Sequence, residues 1–249
     1  MNTYSSRWDR VRTMAYDLIV GGGLVVGTLV GAPFIRRFYN RHGATDHEVE
    51  RPLPGDHLVA LPKLGYTRAI TIEAPIAHVW PWLAQFGQGR GGFYSYDTLE
   101  NLVGCGIHSA DRILPQHQQV AVGDLIRSGR DRHVCWQVVE LDPPHHLVLM
   151  GAGTPAQPSV PEIVDDIPEH GYVASTWQWV LEPLDGGRHT RLLVRQRLTY
   201  SPNQSWLWHL VEPLNFVMEH RMLRGIRDRA ERAAQQLPSG ASPAGGNTP

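Results

Sequence analysis

The feature that most restricts this chain is an uncharged run from Leu18 to Ile35, preceded by Arg7, Arg10 and Arg12 and closed by Arg36 and Arg37. A helix over that run is about 27 Å long, close to the hydrocarbon thickness of a bilayer. Tyr16 and Phe38–Tyr39 stand where aromatic side chains settle at membrane interfaces, and Asp17 falls at the boundary, where a charge is tolerated. The run therefore reads as a single-pass membrane helix over about 14–35, inside an N-terminal segment 1–37. Gly23, Gly27 and Gly31 repeat at every fourth position and give the helix one smooth face, the small-xxx-small pattern that permits close helix approach and homo-oligomers. Two other readings compete. One is a secretory signal with small residues near Val30–Ala32, although Pro33 opposes cleavage there; the other is a glycine-rich, peripherally packed segment of a cytoplasmic protein. Both flanks carry similar positive charge, so the side of the membrane that holds the rest of the chain is undecided.

Residues 38–64 combine prolines and charges without apolar periodicity and read as a polar linker. The stretch 65–237 carries the signals of a packed domain, and 238–249 is Pro, Gly, Ser and Ala with little to bury, which reads as a disordered tail. With 23 Lys plus Arg against 24 Asp plus Glu, nothing in the charge balance points to nucleic acid. Cys105 and Cys135 form no C-x-x-C motif; a disulfide between them and two free thiols are both compatible with the sequence.

Within 65–237, Tyr66–Glu73 alternates as a strand, Ala74-Pro75 breaks it, and Pro75 suits the start of a helix through Val79, Trp80, Leu83 and Phe86, with Pro81 an awkward presence near its beginning. A glycine turn over 87–92 precedes a short helix over Ser95–Val103. Strands follow at Val120–Arg127, His133–Leu141 and His146–Gly151. A proline-rich loop covers 152–171, and a hairpin joins Tyr172–Leu184 to Thr190–Tyr200 around Asp185-Gly186-Gly187. Gln204–Gln236 reads as one long helix kinked at Pro213, with Leu207, Leu210, Val211, Leu214, Val217, Met218, Met222 and Ile226 on its apolar side. The fold class is α+β: an antiparallel sheet around a long C-terminal helix, with an apolar cavity between them.

Three segments carry a resemblance. They are Thr71-Ile72-Glu73-Ala74-Pro75 with Val79-Trp80-Pro81-Trp82-Leu83; Gly89 through Asp97 with Leu99-Glu100-Asn101; and Phe216 through Ile226. Together they make 65–235 resemble the START-like helix-grip (SRPBCC) superfamily, and within it the bacterial polyketide cyclase/dehydrase and lipid-transport group. The resemblance implies a curved sheet gripping the C-terminal helix and a hydrophobic small-molecule ligand such as a lipid, an isoprenoid or an aromatic polyketide. It transfers no catalytic residue and no cofactor. The leading expectation is a binding module beside a membrane. A cyclase or dehydratase acting on an enclosed polyketide is the alternative, and a membrane-anchored assembly protein is the third.

Candidate ligand-binding residues follow from chemistry and spacing. Tyr94, Tyr96, Asp97 and Glu100 form the densest polar-aromatic group, and Asp97 and Glu100 share a helix face. Trp177 and Trp179 alternate on one strand face, and Trp136 lies on another strand. Met218, Glu219 and Met222 sit at helical spacing, with Arg90, Arg195 or Arg197 as partners for an inward Glu219. Each group has an equally simple structural reading as core filling or as a network tying helices to the sheet. Gly87–Gly92 satisfies G-x-G-x-x-G but lacks the preceding strand of a dinucleotide site, so it reads as a tight turn. No sequence pattern for a metal site or an activated nucleophile is present.

Overall fold

A computed structural model describes residues 7–129, 135–154, 157–159 and 172–236. The chain opens with α1 (Arg7–Tyr16), a π-helical turn (Asp17–Gly21) and α2 (Gly22–Asn40), followed by α3 (Asp46–Glu50) and a 3-10 turn (Asp56–Val59). Then come β1 (Leu64–Ile72), α4 (Ile76–Ala84), α5 (Asp97–Leu102), β2 (Leu125–Arg127), β3 (Cys135–Asp142), β4 (His146–Thr154), β5 (Gln157–Ser159), β6 (Val173–Leu184), β7 (His189–Tyr200) and α6 (Ser205–Gln236). All strand pairs are antiparallel. The sheet runs β1-β7-β6-β4-β3-β2, and β5 extends the far end of β4.

The local rules account for most of these boundaries. Pro75 stands at the N-cap of α4 with φ −58°, and the helix continues through Pro81 because burial of Val79, Trp82, Leu83 and Ala84 outweighs one missing hydrogen bond. The β6–β7 hairpin turns at Asp185-Gly186-Gly187, where both glycines take positive φ. β2 is shorter than expected, because only Leu125–Arg127 pair with β3. Both cysteines are free. The loop expected over 152–171 falls largely outside the described residues, as does the tail expected at 238–249.

Register sorts the two faces of the sheet. Arg68 pairs with Val194 and Val194 with Trp179, so Tyr66, Arg68, Ile70 and Ile72 share a face with Trp177, Trp179 and Val194, towards α6. On that side Val79, Trp82, Phe86, Phe93, Tyr94, Trp177, Trp179, Met222, Leu223 and Ile226 form one core. The inward side of α6 is its C-terminal two thirds. Leu207, Leu210 and Leu214, expected on the packed side, are exposed instead, because Trp208, Val211 and Glu212 are the residues of those first turns that face β1, β7 and α2.

Of residues 38–64, read as a linker, Tyr39 at the end of α2 lies on the α6 side, and residues 43–60 are docked on the opposite face of the sheet. Alternate arginines of β7 hold them there. Arg191 pairs with Glu48 (2.7 Å); Arg195 pairs with Asp56 (2.5 Å) and donates to the carbonyls of Glu48, Val49 and Arg51; Arg197 donates to the carbonyls of Val59 and Ala60. Leu53 packs with Ala69, Val180 and Leu193 beneath them. Thr45 and Glu48 close a capping box at the start of α3. The prolines and charges that suggest an extended linker are the turns and ligands of this clasp.

Candidate functional site

Between α6 and the inner face of the sheet lies a buried ion pair. Arg68 Nη1 donates to Glu219 Oε1 at 3.0 Å, and each side chain is 1% exposed. Glu219 Oε2 accepts from the Tyr66 hydroxyl at 2.5 Å and from Trp177 Nε1 at 3.1 Å. Arg68 Nε donates to the Tyr39 carbonyl at 2.9 Å, and its guanidinium lies 3.6 Å from the Tyr66 ring centroid. Burial and the neighbouring Glu219 carboxylate raise the Tyr66 pKa well above its ordinary value. The expected partners of Glu219 lie elsewhere: Arg195 and Arg197 are on the opposite face, and Arg90 donates to the carbonyls of Ala84 and His117. Arg68 carries no sequence signal of this role, because it stands at an inward position of a β-alternating run, where an apolar residue is the rule.

The remaining candidates separate. Trp177, Trp179 and Met222 fill the core, with the Phe86 ring centroid 6.3 Å from that of Trp177 and 4.9 Å from that of Trp179; Trp136 packs 5.4 Å from Trp177, and its Nε1 donates to Ser128 Oγ. Tyr94 is buried with φ 59°, held by its N–H to Ser109 Oγ and its hydroxyl to the Trp82 carbonyl (3.0 Å). Tyr96 is buried, and the Met218 carbonyl accepts from Ser95. Asp97 accepts from the N–H and hydroxyl of Ser109, both at 2.6 Å. Glu100 is pushed up to about 8 by burial, with Asp97 and Asp17 adding to the shift. The Tyr94–Glu100 group thus ties α5 to the 107–109 loop and to the N-terminal rod formed by α1, the π-helical turn and α2. The 87–92 turn is closed by a bridge between Gly87 and Gly92, and a Cβ on Gly92 would lie 2.8 Å from Ser109 Cα.

The open space is at the β1 edge. A cavity of about 50 Å³ is lined by Leu64, Tyr66, Leu198, Trp208, Val211 and Asn215, and is mostly apolar. At Gly65 it adjoins two open clefts of about 350 and 570 Å³. Their walls carry Arg36, Arg37, Arg41, Lys63, Arg195 and Arg197, with no carboxylate among their lining residues. Glu212, on the wall of the small cavity, is engaged by Arg36 at 2.9 Å and by Asn40. Four of these cations are paired, Arg36 with Glu212, Arg41 with Asp46, and Arg195 and Arg197 with Asp56, so the slot has an apolar floor and a mouth whose cations without an ion pair among the described residues are Arg37 and Lys63. None of Leu64, Lys63, Arg36, Arg37, Trp208 or Val211 stood out in sequence as a site residue. The only signal was the arginine pair that ends the apolar run.

The N-terminal rod contains one helix, Val11–Gly31, long and apolar enough to cross a membrane by length and composition. Gly23 and Gly27 have open space where a Cβ would be. Among the described residues no group of three or more His, Cys, Asp or Glu is placed to hold a metal ion.

No protein-family model matches the chain, and no curated protein does. Solved structures align with it at low identity. A conserved protein from Geobacillus kaustophilus is 13% identical, with 68% of this chain and 97% of that one covered and a TM-score of 0.40. A hypothetical protein from Helicobacter pylori is 12% identical, with 75% and 98% covered and a TM-score of 0.40. A protein from Arthrobacter aurescens is 15% identical, with 72% and 92% covered and a TM-score of 0.38. At these scores the likeness carries no argument about function.

Proposed function

We propose that this chain is a membrane-associated binding module of the START-like helix-grip type, and that it takes an amphiphile with an anionic head. The observation that carries the reading is the slot at the β1 edge. Leu64, Leu198, Trp208 and Val211 offer an apolar seat, and Arg37 and Lys63, neither in an ion pair among the described residues, stand around its mouth, beside the end of the apolar helix. Arginine forks suit phosphate or carboxylate oxygens, and neighbouring cations exclude a cationic head. The long C-terminal helix against an antiparallel sheet, with α4 and α5 between β1 and β2, supports the helix-grip assignment.

The seat is smaller than the roughly 300–1,000 Å³ typical of small-molecule sites, so the ligand enters by displacing the start of α6. Residues 205–210 are exposed or half-buried, which makes that end the cheapest part of α6 to move. Burying about 300 Å² of apolar ligand surface contributes about 7 kcal/mol before association costs. The enzyme reading gains nothing from this geometry. Glu100, whose pKa is raised, lies on α5 and lines none of the three spaces, while Glu212 is already paired.

The test is native mass spectrometry of the full chain in mild detergent, with extraction of bound compounds and uptake from a panel of anionic, zwitterionic and cationic amphiphiles. Retention of an anionic amphiphile, reduced at least tenfold by Arg37→Glu with Lys63→Glu and by Val211→Trp, is the expected result. Failure to take up any member of the panel, or retention indifferent to those changes, refutes the proposal.

A further inference from the structure

The apolar N-terminal rod is tied to the domain at both of its ends. Near the start, the Asp17 carboxylate accepts from the Thr98 N–H at 3.2 Å, and Gly21 comes so close to α5 that a Cβ there would lie 2.9 Å from Leu99. About 28 Å further along, at 1.5 Å per residue, Arg36 and Asn40 hold Glu212 on α6. Just beyond, the Tyr39 ring stacks on Phe216 with centroids 5.6 Å apart. The buried positions Asp17, Gly21, Thr28 and Tyr39 are spaced by four, seven and eleven residues, one face of a helix. A rod held this way cannot cross a bilayer unless α5, with Asp97, Glu100 and Asn101, enters the hydrocarbon with it, and such groups are costly there.

We propose that the rod lies in the plane of the membrane interface, and that the first turns of α6 enter the same layer beside it. The face opposite the buried one carries Ile19, Val26 and Val30, exposed at 75%, 62% and 75%. On α6, Trp206 is 70% exposed and Leu207, Leu210 and Leu214 are exposed with it. Tryptophan beside leucine is the composition of a helix seated at the headgroup boundary. The charges name the occupant. Arg12 lies at one end of the apolar stretch and Arg37 and Lys63 at the other, none of them in an ion pair among the described residues, whereas Arg36 and Arg41 are paired with Glu212 and Asp46; this distribution fits anionic headgroups. A second copy of the chain fits less well, since both flanks are basic and either parallel or antiparallel pairing sets arginine beside arginine.

The arrangement differs from a single-pass anchor in one decisive respect: both termini lie on the same side of the membrane. The test places one protease-cleavable tag ahead of Arg7 and another after Gln236 in the full chain, expressed in sealed vesicles of known sidedness. Both tags cut together from one side is the expected result, and tags cut from opposite sides overturn the proposal. Recovery of the intact chain in the soluble fraction overturns it as well. A second measurement uses purified protein and vesicles with and without anionic phosphatidylglycerol. Trp206→Glu with Leu210→Glu, both on exposed positions, should weaken vesicle binding at least tenfold with the circular dichroism unchanged. Unaltered binding removes α6 from the interface. Vesicle-independent dimers that are lost on Gly27→Leu assign the apolar face to a second copy and overturn the lipid assignment.

Discussion

Removing Arg68 should cost more stability than any exposed charge of this protein, and part of that cost should be recovered when Glu219 is changed with it. Arg68 and Glu219 are each 1% exposed and meet at 3.0 Å, so Arg68→Met leaves a carboxylate in the core with only the Tyr66 hydroxyl and Trp177 Nε1 as donors. Breaking a buried pair from one side costs about 3–5 kcal/mol, because the surviving charge has lost both solvent and partner. Glu219→Gln leaves Arg68 with the Tyr39 carbonyl as its one remaining hydrogen-bond acceptor and should cost a similar amount. In the double variant no charge remains, and the Gln carbonyl still accepts from Tyr66 and Trp177. Its cost should be about 2–3 kcal/mol, well below the sum of the singles. The assay is urea unfolding of the four proteins in a fixed detergent, read as a double-mutant cycle. Additivity within about 0.5 kcal/mol would refute the argument, since the pair would then be two independent polar groups rather than one compensated unit.

Four further outcomes follow from named positions. Glu100 is pushed up to about 8, so between pH 4.5 and 8 the unfolded chain has released this proton and the folded chain has not. Stability should fall across that window by about 2–4 kcal/mol. Glu100→Gln should remove the decline, raising the thermal midpoint at pH 8.5 and leaving it nearly unchanged at pH 4.5; parallel pH profiles would contradict this. His220 is held down to about 4, first by burial and then by His42 and the surrounding arginines. The unfolded chain therefore gains a proton below pH 6.5 that the folded one resists until pH 4, and stability should drop as the pH falls through that range. His220→Phe should flatten the acid limb of a denaturation profile. Gly225 faces the Tyr94 backbone, and a Cβ there would lie 2.8 Å from Tyr94 Cβ, so Gly225→Ala should destabilise by about 1–3 kcal/mol. Gly23→Ala, into open space within a helix, should be neutral or stabilising by up to about 1 kcal/mol in the same unfolding assay.

The sequence carried the order of elements well because strands and helices here obey local rules. The 66–73 alternation, the break at Pro75, the Asp185-Gly186-Gly187 turn and the long terminal helix each have a short-range signal. The positions of charge were less legible. Arg68 occupies an inward position of a strand, and the distant Glu219 and the Tyr39 carbonyl make that tolerable. Glu48 and Asp56 look like linker residues until Arg191 and Arg195 are brought over them by β7. In both cases the compensating group is far away in the chain, so no window on the sequence contains both halves of the interaction. The candidate site was hidden for a related reason. Its apolar seat comes from three elements remote from one another, β1, β7 and α6, and its cations come from the end of α2 and the residue before β1.

The same separation links the proposed ligand to the proposed membrane geometry. Arg36 belongs to the rod, yet it pairs with Glu212 on the wall of the apolar seat, and Asn40 grips the same carboxylate. Lifting α6 to admit a ligand therefore strains the joint that fixes the rod to the domain. If the rod and the first turns of α6 share the membrane interface, the lipid layer can hold both while that joint opens, and the seat then faces the source of its ligand. Glu212→Gln separates the two functions. It weakens the joint by removing the charge that Arg36 and Asn40 share, without changing the apolar lining. Amphiphile uptake from vesicles should become faster while vesicle binding, set by Trp206, Leu210 and the rod, stays the same. Slower uptake would mean that Glu212 helps to build the seat rather than to latch it.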